Sequence, residues 1–280
     1  MRFAWLEMGV LQLHGSDRIP FLHGQCTNDV RGLAIGTTCR ALILNAKGQI
    51  EFDITVLRRS DDLMVFCPLG LEEVLFERLK RYIIFDDVQM VVSTDWRLLH
   101  LIPDLGTSAA PLDLGTSAAL PYLETSAAHW ESNRGFGIGQ DILFSVSELP
   151  TLENARPLEN LELARVEASL PQAHSDAFLG LLPQECGLEF AVSYKKGCYI
   201  GQEIMARLEA RGTRRYELRR VRLANAVARG TKIKLEQREV GQLGAVIQDD
   251  AAFIALAVLR RDLAPEAALL ADSVALRLER

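Results

Sequence analysis

The chain has 280 residues, of which 49% are hydrophobic and 24% are charged, and its formal net charge at pH 7 is −6. A chain of this length and composition can bury a large core over two or three domains, which excludes a disordered or fibrous protein. The acidic balance also argues against a protein that binds nucleic acid over much of its surface, because such domains are usually basic.

Hydrophobic patterns in the N-terminal half predict an antiparallel sheet with helices packed on it. Alternation and short apolar runs predict strands, and apolar positions that recur on one helical face predict helices. In chain order these are a strand within 3–13, a helix over 17–30, strands over 41–44, 52–57 and 63–67, a helix over 71–84, and strands over 88–92 and 96–102. The turn residues Asn45 to Gly48 predict a meander of the strands between 41 and 67, and the helix over 71–84 should pack on it.

The middle of the chain is less regular. Between 105 and 128 a nine-residue unit occurs three times, and its small residues predict a surface insertion to which we assign no activity. The run Gly135 to Gly139 has the spacing G-x-G-x-G instead of G-x-G-x-x-G, so it indicates a turn and not a nucleotide loop. A helix is predicted from Pro157 to Ser169, with the proline in its first turn.

The C-terminal part changes character near residue 214. Short apolar runs separated by turn residues predict a small antiparallel β-barrel. These runs are 221–223, 232–235, 240–247, 253–259 and 273–278. We therefore divide the chain into an α+β region at 1–213, which includes the insertion at 105–128, and a barrel domain at 214–280.

The cysteines are scattered, without a C-x-x-C pair or the ligand spacing of a zinc or iron–sulfur site. They are Cys26, Cys39, Cys67, Cys186 and Cys198. This odd, unclustered set predicts free thiols in a reducing cytoplasm and no bound metal. No stretch reaches the roughly 18 consecutive apolar residues of a membrane helix, and the N-terminus lacks the apolar region of a signal peptide, so we expect a cytoplasmic protein without a membrane partner.

The segment Lys195 to Glu203 combines two glycines, a lysine pair, one thiol and a carboxylate just before an apolar-periodic run at 204–208. This arrangement predicts that Cys198 lies at the start of a helix, where free N–H groups, the helix dipole and the lysines favour a thiolate. The alternative is that Cys198 is a buried structural cysteine and that the glycines mark a turn. A lone cysteine without a neighbouring histidine or second cysteine in the sequence does not decide between the two.

Arginines cluster after this segment within an acidic protein. They stand at 207, 211, 214, 215, 219, 220 and 222. Beside Cys198 they predict a site for an anion such as a polyglutamate tail, a phosphate or RNA. The alternative is a solvated helix end followed by an edge strand, with Glu209 and Glu217 offsetting part of the charge.

With these residues in view, the chain resembles the YgfZ-type folate-binding proteins, which are relatives of the glycine-cleavage T-protein, an aminomethyltransferase. The segments that carry the resemblance are Phe21-Leu22, Thr27-Asn28-Asp29-Val30, Leu44-Asn45-Ala46-Lys47-Gly48, Arg165-Val166-Glu167-Ala168 and, most specifically, Lys196-Gly197-Cys198-Tyr199-Ile200-Gly201-Gln202-Glu203. Ser169 departs from the glycine that is usual in the family, and the repeats at 105–128 are not covered.

The resemblance implies a multi-domain ring of mixed and antiparallel sheets around a pocket for tetrahydrofolate or a derivative, with two interleaved subdomains in 1–213. It also implies a role in the assembly or repair of iron–sulfur clusters, including those of tRNA-modifying enzymes. The partners would be iron–sulfur enzymes or assembly factors, with nucleic acid bound only indirectly or weakly. Cys198 is then the functional thiol, with its pKa lowered by Lys196 and the helix start. The implied cofactor contacts are Gly197, Tyr199, Gly201, Gln202, Glu203, Arg207, Arg211, Arg214, Asn45, Asp53 and Arg165.

One departure from the T-protein bears on catalysis. That enzyme carries an acidic pair just after its glycine-rich turn, whereas this sequence reads Ile50-Glu51-Phe52-Asp53, with Phe52 where the working carboxylate is expected. Loss of a positioned carboxylate commonly costs ~2–4 orders of magnitude in rate, which argues against aminomethyl transfer. Two alternatives stay open, namely a folate-dependent one-carbon transferase that works through Glu51 or Asp53, and an RNA-binding module built on the arginines.

Overall fold

The structure is a computed structural model. It describes residues 1–102, 126–135, 137–152, 155–212, 214–250, 252–264 and 266–279, without the side chain of Arg211. Two sheets, a closed barrel and a few short helices make up these ranges, so the predicted α+β class is confirmed. The predicted insertion at 105–128 lies outside the described residues except for 126–128.

The first sheet is antiparallel and carries two helices on one face. Its strands are β2 (Met8–His14), β3 (Thr38–Leu44), β4 (Ile50–Arg58), β5 (Leu63–Pro68) and β6 (Gln89–Ser93). Its helices are α1 (Arg18–Gln25) and α2 (Glu72–Lys80). The first strand of the chain, β1 (Arg2–Leu6), belongs to the second sheet. The spatial order is β3-β4-β5-β2-β6, which contains the predicted meander. Leu75 and Leu79 of α2 and Leu22 of α1 pack into its core, so the predicted packing of the second helix is confirmed.

Both helices are shorter than predicted. Helix α1 ends at Gln25 because the backbone of Cys26 is extended, and helix α2 ends at Lys80. The predicted strand within 3–13 is likewise divided, because β1 and β2 belong to different sheets and separate at Glu7.

The second sheet packs against the free face of the first. Its further strands are β7 (Trp96–Ile102), β8 (Ala128–Asn133), β9 (Ile138–Ser145) and β10 (Arg156–Pro157), in the order β10-β1-β7-β9-β8. Leu98 and Leu143 meet Val10 and Phe66 of the first sheet between the two layers. Of the glycines predicted to form a turn, Gly135 and Gly137 precede β9 and have positive φ angles, whereas Gly139 lies within β9.

The predicted helix over 157–169 is wrong at its start. Arg156 and Pro157 pair in parallel with β1, so the proline belongs to a strand. Helix α3 covers only Leu161–Glu167 and follows Asn160, whose φ of 54° ends the extended segment. Helix α4 spans Gln202–Arg211. Among the described residues, no helix is long and apolar enough to span a membrane.

The C-terminal strands close into an antiparallel barrel, which confirms the prediction. The strands are β11 (Tyr216–Leu223), β12 (Lys232–Leu235), β13 (Arg238–Asp249), β14 (Ala252–Arg260), β15 (Leu269–Ala271) and β16 (Val274–Leu278). Alternate residues of β14 face opposite ways, so Ala255 and Ala257 fill the barrel while Leu256 and Val258 face outward.

A central core joins the first sheet, helices α3 and α4, and the barrel. It contains Leu44 and Ile50 from the first sheet, Val166 from α3, Met205 from α4 and Leu256 from the barrel. Helix α4 is therefore fixed on the side where the sheet and the barrel meet. The loop that leads into α4 holds the segment singled out in the sequence.

Candidate functional site

Cys198 lies in the loop before α4, and its side chain is exposed to solvent. The sequence predicted that this thiol stands at the start of the helix. The helix instead begins at Gln202, with Gly201 as its N-cap residue, so Cys198 precedes the first turn. Because the influence of a helix dipole falls off within the first turn, the helix start does not explain the thiol's role.

The other cysteines differ from Cys198 in their surroundings. Burial raises the pKa of Cys39 and of Cys67 to about 12, and burial also raises the pKa values of Cys26 and Cys186. These thiols remain protonated at neutral pH, as is usual for structural cysteines; Cys26, Cys67 and Cys186 are buried and Cys39 is half-buried. Among the five cysteines of the chain, Cys198 is the exposed one.

Lys196 anchors the loop that carries Cys198. Its ammonium group donates hydrogen bonds to the carbonyl oxygens of His23, Cys26 (2.6 Å) and Asn28 (3.0 Å), at the carboxyl end of α1 and just beyond it. An ammonium group has three N–H donors, so all of them are used here. The structure thus gives Lys196 a positioning task, since it ties the loop to backbone carbonyl groups at the end of α1 and just beyond it.

The rest of the loop is held by Tyr199 and Gln202. The ammonium of Lys196 lies 4.9 Å from the centroid of the Tyr199 ring, in cation–π geometry. Burial raises the pKa of Tyr199 to about 12, so the phenol is neutral. The backbone N–H of Tyr199 donates to Oε1 of Gln202 at 3.2 Å, which closes the loop onto the first residue of α4. Cys198 is therefore presented on a segment fixed at both sides.

The glycines of the site permit a close approach between α4 and the β3–β4 turn. Gly201 has a φ of 86°, and a Cβ atom there would lie 2.8 Å from the carbonyl oxygen of Asn45. Gly48 has a φ of 75°, and its Cβ atom would lie 2.9 Å from Cγ2 of Ile204. Two distant segments of the family pattern thus meet here. The Asn45 side chain closes its own turn by accepting the N–H groups of Lys47 and Gln49.

Asp53 and Arg165, predicted as cofactor contacts, are occupied by structural pairs. Asp53 accepts two hydrogen bonds from Arg40, at 2.8 and 2.6 Å, and one from the backbone N–H of Ala173 at 3.0 Å. The Arg165 side chain is 3% exposed and binds Asp176, whose side chain is fully buried, at 2.8 Å. Both pairs hold the segment 170–176 in place, through contacts to the backbone of Leu170, Pro171, Gln172 and Ala173.

Most of the clustered arginines have carboxylate partners. Glu203 pairs with Arg207 one turn along α4, and both side chains are more than half exposed, at 77% and 57%. Arg214 pairs with Glu189 across the loop. On β11, the pairs are Arg219 with Glu217, Arg220 with Glu279, and Arg222 with Glu279 and Asp249. The side chain of Arg211 is outside the described part of the structure.

The carboxylates that follow the β3–β4 turn are engaged as well. Phe52 is 8% exposed and packs in the core of the first sheet. Glu51 binds Arg78 of α2 at 2.7 Å. Asp53 is held by Arg40. The segment where a working carboxylate is expected from the T-protein therefore offers no unpaired carboxylate.

The sequence interpretation missed His23. Its ring is buried, and a Cβ atom at Gly197 would lie 3.8 Å from its Nε2 atom. Burial and the charges of Lys196 and Arg31 lower the pKa of His23, so the imidazole is neutral at pH 7. It stands far from Gly197 in sequence, and only the fold makes the two neighbours. The resemblance of the nearby Thr27-Asn28-Asp29-Val30 segment was the available signal.

The predicted folate contacts fit that cofactor only in part. Asn45, Asp53 and Arg165 have their polar atoms committed to the fold, so they do not fit. Arg207 and Arg214 fit better, because exposed ion pairs are worth only about 0–1 kcal/mol and exchange readily for another carboxylate. A cavity of about 170 Å³ is lined by Glu185, Tyr216 and Gln242 among others, and one of about 440 Å³ lies between the two sheets. Neither is lined by a predicted cofactor contact.

Known proteins are similar to this chain over most of its length, although no family model matches it. The tRNA-modifying protein YgfZ of Klebsiella pneumoniae is 27% identical over 280 residues, covering 93% of this chain and 85% of that protein. The tRNA-modifying protein YgfZ of Vibrio vulnificus is 28% identical over 283 residues, covering 93% and 84% respectively. The protein of the same name from Yersinia enterocolitica is 23% identical over 284 residues, covering 94% and 85%.

A solved structure shares the fold. The glycine cleavage system aminomethyltransferase T of Bartonella henselae superimposes with a TM-score of 0.75, covering 99% of this chain and 84% of that one. The two sequences are 14% identical, so this likeness concerns the fold alone. The resemblance inferred from the residues, to YgfZ-type proteins and to the T-protein, is thereby confirmed.

Proposed function

We propose that this chain is a YgfZ-type accessory protein that supports tRNA modification. In this proposal it binds a tetrahydrofolate and helps to assemble or repair the iron–sulfur clusters of the modifying enzymes. The names of its relatives and its aminomethyltransferase-like fold support this function. The observation that carries it is the exposed thiol of Cys198, fixed on a loop by Lys196 within the segment that resembles the family signature.

The thiol acts together with a partner in this proposal. Among the described residues, no group of three or more histidine, cysteine, aspartate or glutamate side chains is arranged to hold a metal ion. A resident cluster would need several ligands, whereas Cys198 supplies one. In this proposal Cys198 therefore supplies one ligand to a cluster that the client enzyme also holds, or exchanges as a ligand with that enzyme.

The folate part rests on the arginines at the end of α4 and beyond it. Arg207 and Arg214 would release Glu203 and Glu189 and bind the carboxylates of the folate tail, for which a planar guanidinium is well suited. We expect tetrahydrofolate to raise the melting temperature of the protein. Arg207→Ala should weaken its binding about twofold to fivefold, as the loss of one exposed charge pair predicts. Arg219→Ala on β11 is the matched control, and an unchanged affinity in Arg207→Ala would remove this residue from the site.

The alternatives receive less support. A one-carbon transferase needs a carboxylate near the folate nitrogen, but Glu51 and Asp53 are both held by arginines and Phe52 is buried. An RNA-binding module needs a surface of net positive charge, but the carboxylates paired with the arginines of β11 offset that charge in a chain whose formal net charge is −6. We therefore place both below the accessory function.

The function is tested by replacing the native protein in a bacterium that requires its own YgfZ. We expect this chain to restore iron–sulfur enzyme activity and the modification of tRNA, which mass spectrometry of tRNA nucleosides measures. A chain that is expressed and folded but restores neither would overturn the proposal. Melting curves with and without tetrahydrofolate, measured on the same protein, test the cofactor separately.

A further inference from the structure

The cavity of about 440 Å³ lies between the two sheets, away from the Cys198 loop. The link from β1 to β2, the start of α2 and the link from β6 to β7 form its walls. Its volume falls within the range of small-molecule sites, roughly 300–1,000 Å³, and such sites are common where layers or domains meet. Because the cavity shares no residue with the segment 195–214, it is independent of the function proposed above.

The walls are mainly aromatic and aliphatic. Trp5, Phe66 and Trp96 line the cavity. Three of its apolar lining residues are also exposed to solvent, with exposed fractions of 39% for Trp5, 57% for Leu69 and 45% for Leu149. Large apolar side chains that are exposed together mark a binding surface more often than isolated ones do.

A carboxylate in the wall lacks a partner. The Oε2 atom of Glu72 is buried, and it makes no hydrogen bond to the described residues. It lies close to strand β2, since a Cβ atom at position 9 would be 2.4 Å from it and would displace the end of the Glu72 side chain. A glycine inside a strand often marks a close approach of this kind. A buried carboxylate oxygen without a donor is costly, and a ligand in the cavity would supply one once the Glu72 side chain turns away from β2.

The wall has a formal net charge of −1, from the two carboxylates Glu7 and Glu72 and the one guanidinium of Arg97. Glu7 adds a second negative charge. Arg97 is the basic residue of the lining, but its Nη1 atom donates to the carbonyl oxygens of Thr94 at 3.1 Å and Trp96 at 2.8 Å. The guanidinium is thus held by the backbone of the β6–β7 link.

We propose that this cavity is a binding site for a small aromatic cation, such as an amidinium or a protonated amino-heterocycle. The cation donates charge-assisted hydrogen bonds to Glu72, and its flat ring lies among the aromatic side chains. Aromatic walls stabilise such a bound ligand in two ways. They bury its ring, and their π systems attract its positive charge.

Benzamidine is a suitable probe, with neutral benzamide of nearly the same shape as its control. The chain has three tryptophans, and Trp5 and Trp96 line the cavity whereas Trp130 does not. We expect benzamidine to shift the indole N–H signals of Trp5 and Trp96 in NMR spectra of the intact protein, with saturation near 1 mM. Trp130 should shift less. Benzamide should bind about tenfold more weakly, since it lacks the charge.

Two substitutions on the same helix separate charge recognition from folding. Glu72→Gln should weaken benzamidine binding about tenfold or more, whereas Glu73→Gln, which alters the exposed neighbouring side chain, should leave it unchanged. Cys198→Ala should also leave it unchanged, because the two sites are separate. The proposal is overturned if wild-type protein gives no saturable shift, if benzamide binds as tightly as benzamidine, or if Glu72→Gln and Glu73→Gln behave alike.

Discussion

A chain carrying Cys198→Ser is expected to remain folded and to lose its function. The side chain is exposed and is not part of a core cluster, so the free energy of unfolding should change by no more than about 0.5 kcal/mol. Serine is close to cysteine in size but lacks the sulfur atom that binds iron. In cells that lack the native protein, iron–sulfur enzyme activity and tRNA modification should stay at the level of the deletion strain.

A second thiol provides the control for this result. Cys39→Ser changes a half-buried cysteine whose thiol is held protonated by burial, so it should lower stability somewhat while function persists. Full restoration of tRNA modification by Cys198→Ser would show that the thiol is dispensable. Melting curves and protein levels for both variants exclude loss of protein as the cause.

Lys196→Ala is expected to destabilise the protein and to impair function even though Cys198 is intact. The substitution removes three hydrogen bonds to carbonyl groups at the end of α1, and hydrogen bonds to charged groups are worth about 1.5–3 kcal/mol each. Since burying the ammonium group has its own cost, we expect a net loss of about 2–4 kcal/mol. For a chain of this size that lowers the melting temperature by roughly 5–10 °C.

The neighbouring lysine is a matched control for Lys196. Lys195 is exposed, so Lys195→Ala should change the free energy of unfolding by no more than about 0.5 kcal/mol and leave function intact. Hydrogen exchange of the backbone amides at 195–201 should increase in Lys196→Ala and not in Lys195→Ala. Identical melting temperatures and exchange rates in the two variants would mean that Lys196 does not anchor the loop.

Much of the fold followed from local patterns in the sequence. The meander between 38 and 68, the amphipathic helix on it and the closed barrel were all predictable, because alternation and turn residues are read over a few positions. The errors lie where tertiary pairing overrides local preference. The sequence around Pro157 is typical of the first turn of a helix. In the structure Arg156 and Pro157 instead pair with β1, which lies more than 150 residues earlier in the chain.

The sequence indicated the segments of the candidate site but not the contacts that hold them together. The sequence pointed to Cys198 and to the turn at Asn45, and the structure brings their segments together through Gly201 and Gly48. It did not reveal that Lys196 reaches across to α1, because that contact joins positions more than 160 residues apart. The sequence indicated Asp53 as a ligand contact. It could not show that Arg40 binds this carboxylate in the folded chain.

Blocking the thiol in the purified protein tests the central claim most directly. Iodoacetamide should alkylate Cys198 in the folded chain, and intact mass measurement counts the groups added. The unmodified protein, added to an extract of cells that lack the native one, should restore the modification of tRNA, and the alkylated protein should not. Equal restoration by both forms would contradict the assignment of Cys198 as the functional group.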